Sequence, residues 1–243
     1  MITIEERKLA GVPCLLIGDD QPGDRPLIIH LHGWSGAKPN PDALPDFLMQ
    51  WQSNGFTILC LDAYEHGERR TENAFRAIFN GWAFICDAMD KTAKEIPALL
   101  DAALAVPGIS QVNPQLMGIS MGGVIAQQAM AHEKRFTSMV SVIGRSSFYQ
   151  ADDWCREAQK GTWCDDWCEA NAPLLHPERY SDRPLLFLDG GQDTDCPAAI
   201  NKETVDKINA LGGQASQFVD DAVGHAFSES MKAECLQWLK KHS

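Results

Sequence analysis

The stretch QLMGISMGGVIA at residues 115–126 contains the pattern Gly-x-Ser-x-Gly between two apolar runs. The first run predicts a strand over Gln115–Gly118, and the second predicts a helix over Gly122–His132. At ordinary Gly and Ser frequencies, roughly one chain in twelve of this length would contain the pattern by chance, so the flanking elements decide its meaning. A serine on a tight strand-to-helix turn between glycines is typical of a nucleophile. Ser120 is therefore the candidate nucleophile.

The rest of the chain alternates short apolar runs with longer helical patterns. The predicted strands are Pro26–His32, Phe56–Asp62, Gln115–Gly118, Ser138–Ile143, Pro184–Asp189 and Ala215–Val219. The predicted helices are Ala43–Ser53, Ala74–Ala105 with a break near Pro97, Gly122–His132, Ala198–Leu211 and Phe227–Lys241. Strands that are buried on both faces and separated by helices predict a mostly parallel sheet in a three-layer α/β sandwich.

The chain has 243 residues, of which 44% are hydrophobic and 22% charged, so it can bury a sizeable core. No repeat or long Pro/Gly/Ser linker divides it, and we expect one domain over residues 1–243. Residues 145–183 are rich in Trp and Cys and interrupt the alternation of elements. We interpret them as an insertion over the C-terminal edge of the sheet, acting as a lid or as a wall of the ligand pocket.

The charge balance excludes several classes of partner. With 33 acidic and 21 basic side chains the formal net charge is −12, which disfavours nucleic acids and anionic membrane surfaces. No apolar stretch approaches the 18 or more residues of a membrane span. The first residues, MITIEERKLA, do not follow the pattern of a secretory signal, so we expect a cytoplasmic protein.

Eight cysteines are present, and two of them, Cys60 and Cys86, lie in apolar runs as expected of buried thiols in a reducing compartment. The cluster Cys155, Cys164 and Cys168 could support a metal, a disulfide or redox chemistry. No histidine falls at ligand spacing there, so we interpret the cluster as a packed segment and expect no metal site.

A serine nucleophile needs an oriented base and an acid behind it. Of the seven histidines, His225 in the segment VGHAF lies between a predicted strand and the last helix, whereas His242 is the penultimate residue. His225 is the candidate base. The acid is sought after the strand LLFLD, where Asp193 is favoured and Asp189 and Asp195 remain alternatives. Asp195 could instead cap the following helix.

The oxyanion formed during attack on a carbonyl needs backbone N–H donors. Met121 follows the nucleophile and supplies one, and Trp34 in the segment HGWSG at residues 32–36 is expected to supply the second. His32 of that segment is interpreted as a structural hydrogen-bonding residue. The mixed-charge segment DAYEHGERR at residues 62–70 is interpreted as a loop that shapes the pocket rim.

Taken in order and spacing, HGWSG, GISMGG, GGQDTDCP and VGHAF resemble the α/β-hydrolase superfamily over essentially the whole chain. DAYEHGER and SDRPLLFLDGGQDTDCP resemble, more narrowly, small bacterial carboxylesterases related to dienelactone hydrolases and to the catalytic domain of prolyl oligopeptidases. The resemblance implies Ser120 as nucleophile, Asp193 and His225 as its partners, and Trp34 and Met121 as oxyanion donors. Such a site needs no metal or organic cofactor.

We expect a serine hydrolase that cleaves carboxylic esters of small molecules, with short acyl groups, through an acyl-enzyme. The acidic net charge favours neutral esters over phosphorylated or CoA-linked ones. A thioesterase or lactonase on the same residues, or a binding protein that has lost turnover, are the alternatives. Two differences from these families limit how far the resemblance applies. Dienelactone hydrolases proper carry cysteine at the position of Ser120, and 243 residues leave no room for the propeller domain of prolyl oligopeptidases. The sequence does not indicate an oligomeric state.

Overall fold

The structure is a computed structural model that describes residues 1–20, 23–148 and 164–243, with side chains described except at 73–81 and 164–165. The strands are β1 Ile2–Leu9, β2 Val12–Asp19, β3 Leu27–Leu31, β4 Thr57–Leu61, β5 Gln115–Ile119, β6 Ser138–Val142, β7 Pro184–Gly190 and β8 Gln214–Asp220. The helices are α1 Asp46–Ser53, α2 Glu72–Leu104, α3 Met121–His132, α4 Cys164–Asn171, α5 Ala198–Ala210 and α6 Glu229–Lys241, with short 3-10 helices at Gly67–Arg69 and Pro177–Tyr180.

The described strands form an eight-stranded sheet in the order β1-β2-β4-β3-β5-β6-β7-β8. β1 pairs antiparallel with β2, and β2 pairs antiparallel with β4. All the remaining strand pairings in this sheet are parallel. The predicted mostly parallel sheet is therefore confirmed, because each of these parallel strands is reached by a crossover that leaves the sheet and returns.

Apolar side chains of the central strands divide between the two faces of the sheet. On β3, Leu27, Ile29 and Leu31 belong to the core shared with α2 and α3, while Ile28 belongs to the core shared with α1 and α6. This alternation follows from the two-residue period of a strand. Helices cover both faces, so the predicted three-layer sandwich is confirmed.

The hairpin β1–β2 was not among the sequence predictions. Its loop is Ala10-Gly11, with φ of 48° and 82°, as a two-residue hairpin turn of the I′ type requires. The sequence lacks the Asn-Gly or Asp-Gly pair that usually marks such a turn. β1 is also mostly exposed along its length, so it lacks the apolar run that identified the central strands.

The predicted break near Pro97 is wrong, because α2 runs without interruption from Glu72 to Leu104. Proline in a helix interior removes one backbone hydrogen bond and costs about 3 kcal/mol. The fully buried side chains of Ile96, Leu99 and Leu100 flank Pro97 and hold both halves of the helix against the sheet. Tertiary packing thus outweighs the local cost.

The segment 145–183 is described at its two ends, since residues 149–163 lie outside the described part of the chain. At the C-terminal end, Trp167 and Cys168 are buried in the core, and Trp167 Nε1 donates to Asp90 Oδ1 at 3.2 Å. This burial agrees with the packed role expected for Cys168, whereas Cys155 falls outside the described residues. The lid interpretation stays a prediction.

Within the described residues, no helix combines the length and the apolarity that crossing a bilayer requires.

Candidate active site

The three residues predicted to carry the chemistry all follow parallel strands. Ser120 comes directly after β5, Asp193 follows β7, and His225 follows β8. Because these strands are parallel, their carboxyl ends meet at the same edge of the sheet, which is where open α/β sheets bind ligands.

Ser120 adopts φ 54° and ψ −116°, a left-handed conformation that is uncommon for a residue with a side chain. The turn is possible because glycines surround it. A Cβ atom at Gly118 would overlap the carbonyl of Gly122, and a Cβ at Gly122 would overlap the carbonyl of Leu31. The sequence pattern Gly-x-Ser-x-Gly is therefore explained by close backbone approach, and it projects Ser120 from the end of β5.

His225 bridges Ser120 and Asp193. Its Nε2 lies 2.8 Å from Ser120 Oγ, and its Nδ1 lies 2.7 Å from Asp193 Oδ2. The other carboxylate oxygen of Asp193 accepts the backbone N–H groups of Asp195 and Cys196, each at 2.9 Å. A carboxylate is the acceptor in these contacts, so Nδ1 is the donor and Nε2 is left to accept the Ser120 hydroxyl proton.

The geometry separates the three candidate acids. Asp195 is exposed, and the N-cap position of α5 is Pro197, so the Asp195 side chain does not cap that helix. Asp189 is fully buried and accepts from Asn201 Nδ2 and Gln217 Nε2, both at 2.7 Å. Burial raises the pKa of Asp189 to about 6. Of the three, Asp193 is the one within hydrogen-bond distance of His225.

The two expected oxyanion donors lie beside Ser120. A Cβ atom at Gly33 would come within 3.5 Å of Ser120 Cβ, so the loop carrying Trp34 passes next to the nucleophile turn. Met121 is the first residue of α3, where N–H groups have no partner within the helix. In the described part of the chain, the N–H groups of Trp34 and Met121 make no backbone hydrogen bond.

His32 connects the loop after β3 to the loop after β4. Its Nε2 accepts the backbone N–H of Ala63 at 3.1 Å, so Nδ1 carries the ring proton and donates to the Gly33 carbonyl at 2.8 Å. Burial lowers the pKa of His32, which keeps the ring neutral near pH 7. His32 thus holds the peptide that precedes Trp34.

A cavity of about 530 Å³ opens beside Ser120. Its wall is mainly apolar, with Trp82, Ile85 and Met89 from α2, Phe227 from the loop before α6, and Phe148 from the start of the segment 145–183. Its described lining residues include no lysine or arginine, and Asp195 is the one carboxylate among them. The cavity therefore suits an uncharged, largely apolar ligand.

No local sequence pattern marks these residues as cavity residues. Trp82, Ile85 and Met89 follow the helical spacing of ordinary core positions, and Trp82 and Met89 also belong to the core between α2 and the sheet. Whether a side chain on this face of α2 packs against the sheet or borders the cavity depends on the tertiary structure, which local spacing does not specify.

The segment 62–70, which the sequence predicts to shape the rim of the pocket, borders a different cavity. None of its residues lines the main cavity in the described part of the chain, while Glu65, His66, Gly67 and Arg70 line a smaller cavity of about 50 Å³. Asp62 is fully buried, and its carboxylate accepts the backbone N–H groups of Lys38 at 2.8 Å and Glu68 at 3.0 Å. These hydrogen bonds fix the loop around the Asp62 carboxylate.

Among the described residues, the metal-ligating atoms of Asp193, Cys196 and His225 lie within 4.8 Å of one another. Asp193 and His225 are already hydrogen-bonded to each other, and burial raises the pKa of the Cys196 thiol. A protonated thiol is a poor metal ligand. The donor set therefore fits proton transfer better than metal binding.

Comparisons with known proteins identify the family of the chain and its structural relatives. The family model described as the dienelactone hydrolase family matches residues 12–240. The chain is 25% identical to YitV of Bacillus subtilis over 100% of both chains, and 28% identical to the esterase YjfP of Escherichia coli over 82% of this chain and 81% of YjfP. The crystal structure of TT1662 from Thermus thermophilus superposes with a TM-score of 0.75 at 23% identity, covering 99% of this chain and 98% of that one.

Proposed function

The chain belongs to the dienelactone hydrolase family and is a hydrolase, and from this premise we propose that it cleaves neutral carboxylic esters with short acyl groups, using Ser120, His225 and Asp193. The observation that carries the proposal is the continuous hydrogen-bonded arrangement of these three side chains, with distances of 2.8 and 2.7 Å. The Escherichia coli relative, itself named an esterase, supports the ester bond as the target.

In the proposed reaction, His225 Nε2 removes the proton from Ser120 Oγ as that oxygen attacks the ester carbonyl. Asp193 keeps the ring oriented and stabilises its protonated form. The N–H groups of Trp34 and Met121 receive the negative charge that develops on the carbonyl oxygen.

Collapse of the tetrahedral intermediate then breaks the bond between the carbonyl carbon and the alcohol oxygen. His225 donates its proton to the departing alcohol, which leaves the acyl group on Ser120. A water molecule, deprotonated by His225, then attacks the acyl carbon. The bond between that carbon and Ser120 Oγ breaks, His225 returns the proton to Ser120 Oγ, and the carboxylic acid leaves. Each proton that His225 takes is returned, so the site regenerates itself without a cofactor.

The cavity supports the proposed substrate class. Its mainly apolar wall suits the uncharged groups on both sides of an ester bond. The described lining offers no cation to pair with a phosphate or carboxylate, and Asp195 at the cavity repels anions. Neutral esters are thus favoured over phosphorylated ones.

Hydrolysis of p-nitrophenyl esters from C2 to C12 tests the proposal, with the wild type compared with Ser120→Ala. Ser53→Ala is the matched control, because Ser53 is an exposed serine on α1, remote from the site. We expect kcat/KM to peak at short chains and to fall by about 10⁴-fold or more in Ser120→Ala. The control should retain wild-type rates.

Labelling by a fluorophosphonate distinguishes an active site that was tested with unsuitable esters from a site that is itself inactive. Wild type and Ser53→Ala should be labelled, and Ser120→Ala should not. Full hydrolysis by Ser120→Ala, or absence of labelling in the wild type, would overturn the proposal.

A further inference from the structure

The indole of Trp34 lies between two cavities. Trp34 lines both the main cavity of about 530 Å³ beside Ser120 and the smaller cavity of about 50 Å³. Its residue surface is 40% exposed, which is high for a tryptophan next to a buried core. The backbone N–H and the side chain of Trp34 therefore have separate roles.

On the side of the smaller cavity, two rings contact the indole edge-on. His66 lies 5.0 Å away between ring centroids at an interplanar angle of 74°, and Phe84 lies 6.1 Å away at 80°. Both residues line the smaller cavity, and neither lines the main one in the described part of the chain. These two contacts support the indole from the side of the smaller cavity and fix it as a wall of the main cavity.

The backbone of this loop is fixed independently of the indole. The N–H of Gly36 donates to the Gly33 carbonyl at 3.0 Å, and Ser35 adopts a φ of 63°. A Cβ at Gly36 would lie 2.9 Å from the Gly33 oxygen and 3.1 Å from His32 Nδ1, so the turn closes tightly. Removal of the indole should therefore leave the Trp34 N–H in place.

The two cavities differ in chemistry. The smaller cavity is bordered by Ser35, Glu65, His66 and Arg70, whereas the main cavity is bordered mostly by apolar side chains. Glu65 accepts from the backbone N–H of Thr71 at 3.0 Å and from its hydroxyl, and His66 Nδ1 donates to the Tyr64 carbonyl at 2.8 Å. The indole separates an apolar space from a polar one.

We propose that the Trp34 side chain is a specificity-determining partition that limits the size of the ester group on the oxyanion-loop side of the main cavity. This inference rests on the proposed ester hydrolysis. With the indole present, the site takes compact, apolar groups. Without it, the two cavities join, and bulkier ester groups become substrates.

The test uses Trp34→Ala and Trp34→Phe in two ester series. One varies the acyl group in p-nitrophenyl esters from C2 to C12, and the other varies the alcohol in acetates from methyl to cyclohexyl and 2-naphthyl. Arg70→Ala is the matched control, because Arg70 also borders the smaller cavity and is neither of the two rings that contact the indole.

We expect Trp34→Ala to raise the ratio of kcat/KM for bulky over small esters by about tenfold or more in one of the series, since pocket contacts of a few methylenes are worth that much. Trp34→Phe should give a smaller rise, and Arg70→Ala should stay within about twofold of wild type. Small acetates should still be hydrolysed by Trp34→Ala, because the oxyanion donor belongs to the backbone.

The outcomes separate the two proposals. A wild type without esterase activity or labelling overturns the proposed function. A wild type that is active, with Trp34→Ala unchanged in both ratios, overturns the partition alone. Loss of all hydrolysis by a Trp34→Ala protein with wild-type circular dichroism also overturns it. If Trp34→Ala does not fold, Trp34→Phe decides, and an unchanged ratio there contradicts the proposal.

Discussion

The backbone N–H of Asp195 donates to the carboxylate of Asp193 at 2.9 Å. Two acids that lie two residues apart in this turn therefore have different surroundings. The Asp193 side chain is fully buried beneath His225, whereas Asp195 is exposed at the cavity. The turn itself fixes the orientation of Asp193, because the N–H of Cys196 joins that of Asp195 on the same oxygen.

Asp193→Asn should lower kcat/KM by about 10³–10⁴-fold, because an amide at this position no longer fixes the His225 tautomer or stabilises its protonated ring. Asp195→Asn removes the neighbouring carboxylate while keeping the backbone N–H, and it should change kcat/KM by less than about threefold on neutral esters. Steady-state hydrolysis of p-nitrophenyl acetate measures both. A larger loss in Asp195→Asn than in Asp193→Asn would reverse the assignment of the acid.

His32→Phe should lower kcat more than it raises KM. The ring of His32 holds the Gly33 carbonyl and the Ala63 N–H, and its loss releases the peptide that leads to the Trp34 donor. Since oxyanion donors act on the transition state, we expect a fall in kcat of about 10- to 100-fold. His132→Gln, on the last turn of α3, is the control. A rise in KM with kcat unchanged would show that His32 acts on binding instead.

The free energy of unfolding should fall as the pH drops below about 6.5. His30 is buried, its Nε2 has no hydrogen-bond partner in the described structure, and burial lowers the pKa of His30 to about 3. The unfolded chain takes up a proton near pH 6.5 and the folded chain does not, so acid favours unfolding. At pH 4.5 this one group should cost about 2–3 kcal/mol.

His30→Phe isolates that contribution, because a phenyl ring can retain the contact with Phe47 and cannot titrate. Urea denaturation at pH 7.5, 5.5 and 4.5 should show a smaller loss of stability for the variant than for the wild type on the acid side. Identical pH profiles would mean that His30 does not titrate during unfolding. Other histidines, among them His32 and His66, have pKa values lowered by burial and leave a residual slope.

Arg183→Met should destabilise the fold by about 3 kcal/mol. The buried guanidinium of Arg183 donates from Nη1 to the carbonyls of Glu133 at 2.8 Å and Phe136 at 3.2 Å, and from Nη2 to Met130. The Met130 carbonyl lies in the last turn of α3 and the other two follow its end, and all three would lose this donor. Arg7→Met, on exposed β1, is the control, and thermal melting compares the two. A loss for Arg183→Met no larger than that for Arg7→Met would contradict this role.

The sequence was sufficient for the parts of the fold that have a strong local pattern. Runs such as LIIHL at 27–31 and SMVSV at 138–142 are strands because both of their faces are covered, and burial of this kind is visible as an apolar run. β1 has no such run, and its hairpin turn uses Ala10-Gly11, so it could not be recognised. The continuity of α2 through Pro97 depends on packing that local propensity does not contain.

The candidate site divides in the same way. Ser120 was found because glycines at fixed spacing are needed for its turn, and His225 because few histidines follow a suitable acid. The choice among Asp189, Asp193 and Asp195 could not be settled, since it depends on which carboxylate the turn directs at His225. The partition made by Trp34 has no local signal, because it is a relation between two cavities.

Ser120 and His225 are separated by 105 residues, and they meet only when β8 has paired with β7 at the far edge of the sheet. Such non-local pairing forms late, because loop closure must precede the contacts that reward it. During synthesis, a nascent chain that ends before residue 225 carries the proposed nucleophile without its base. Hydrolysis should therefore be gained only after the C-terminal part of the chain has folded, and its return on refolding reports that β8 has paired with β7.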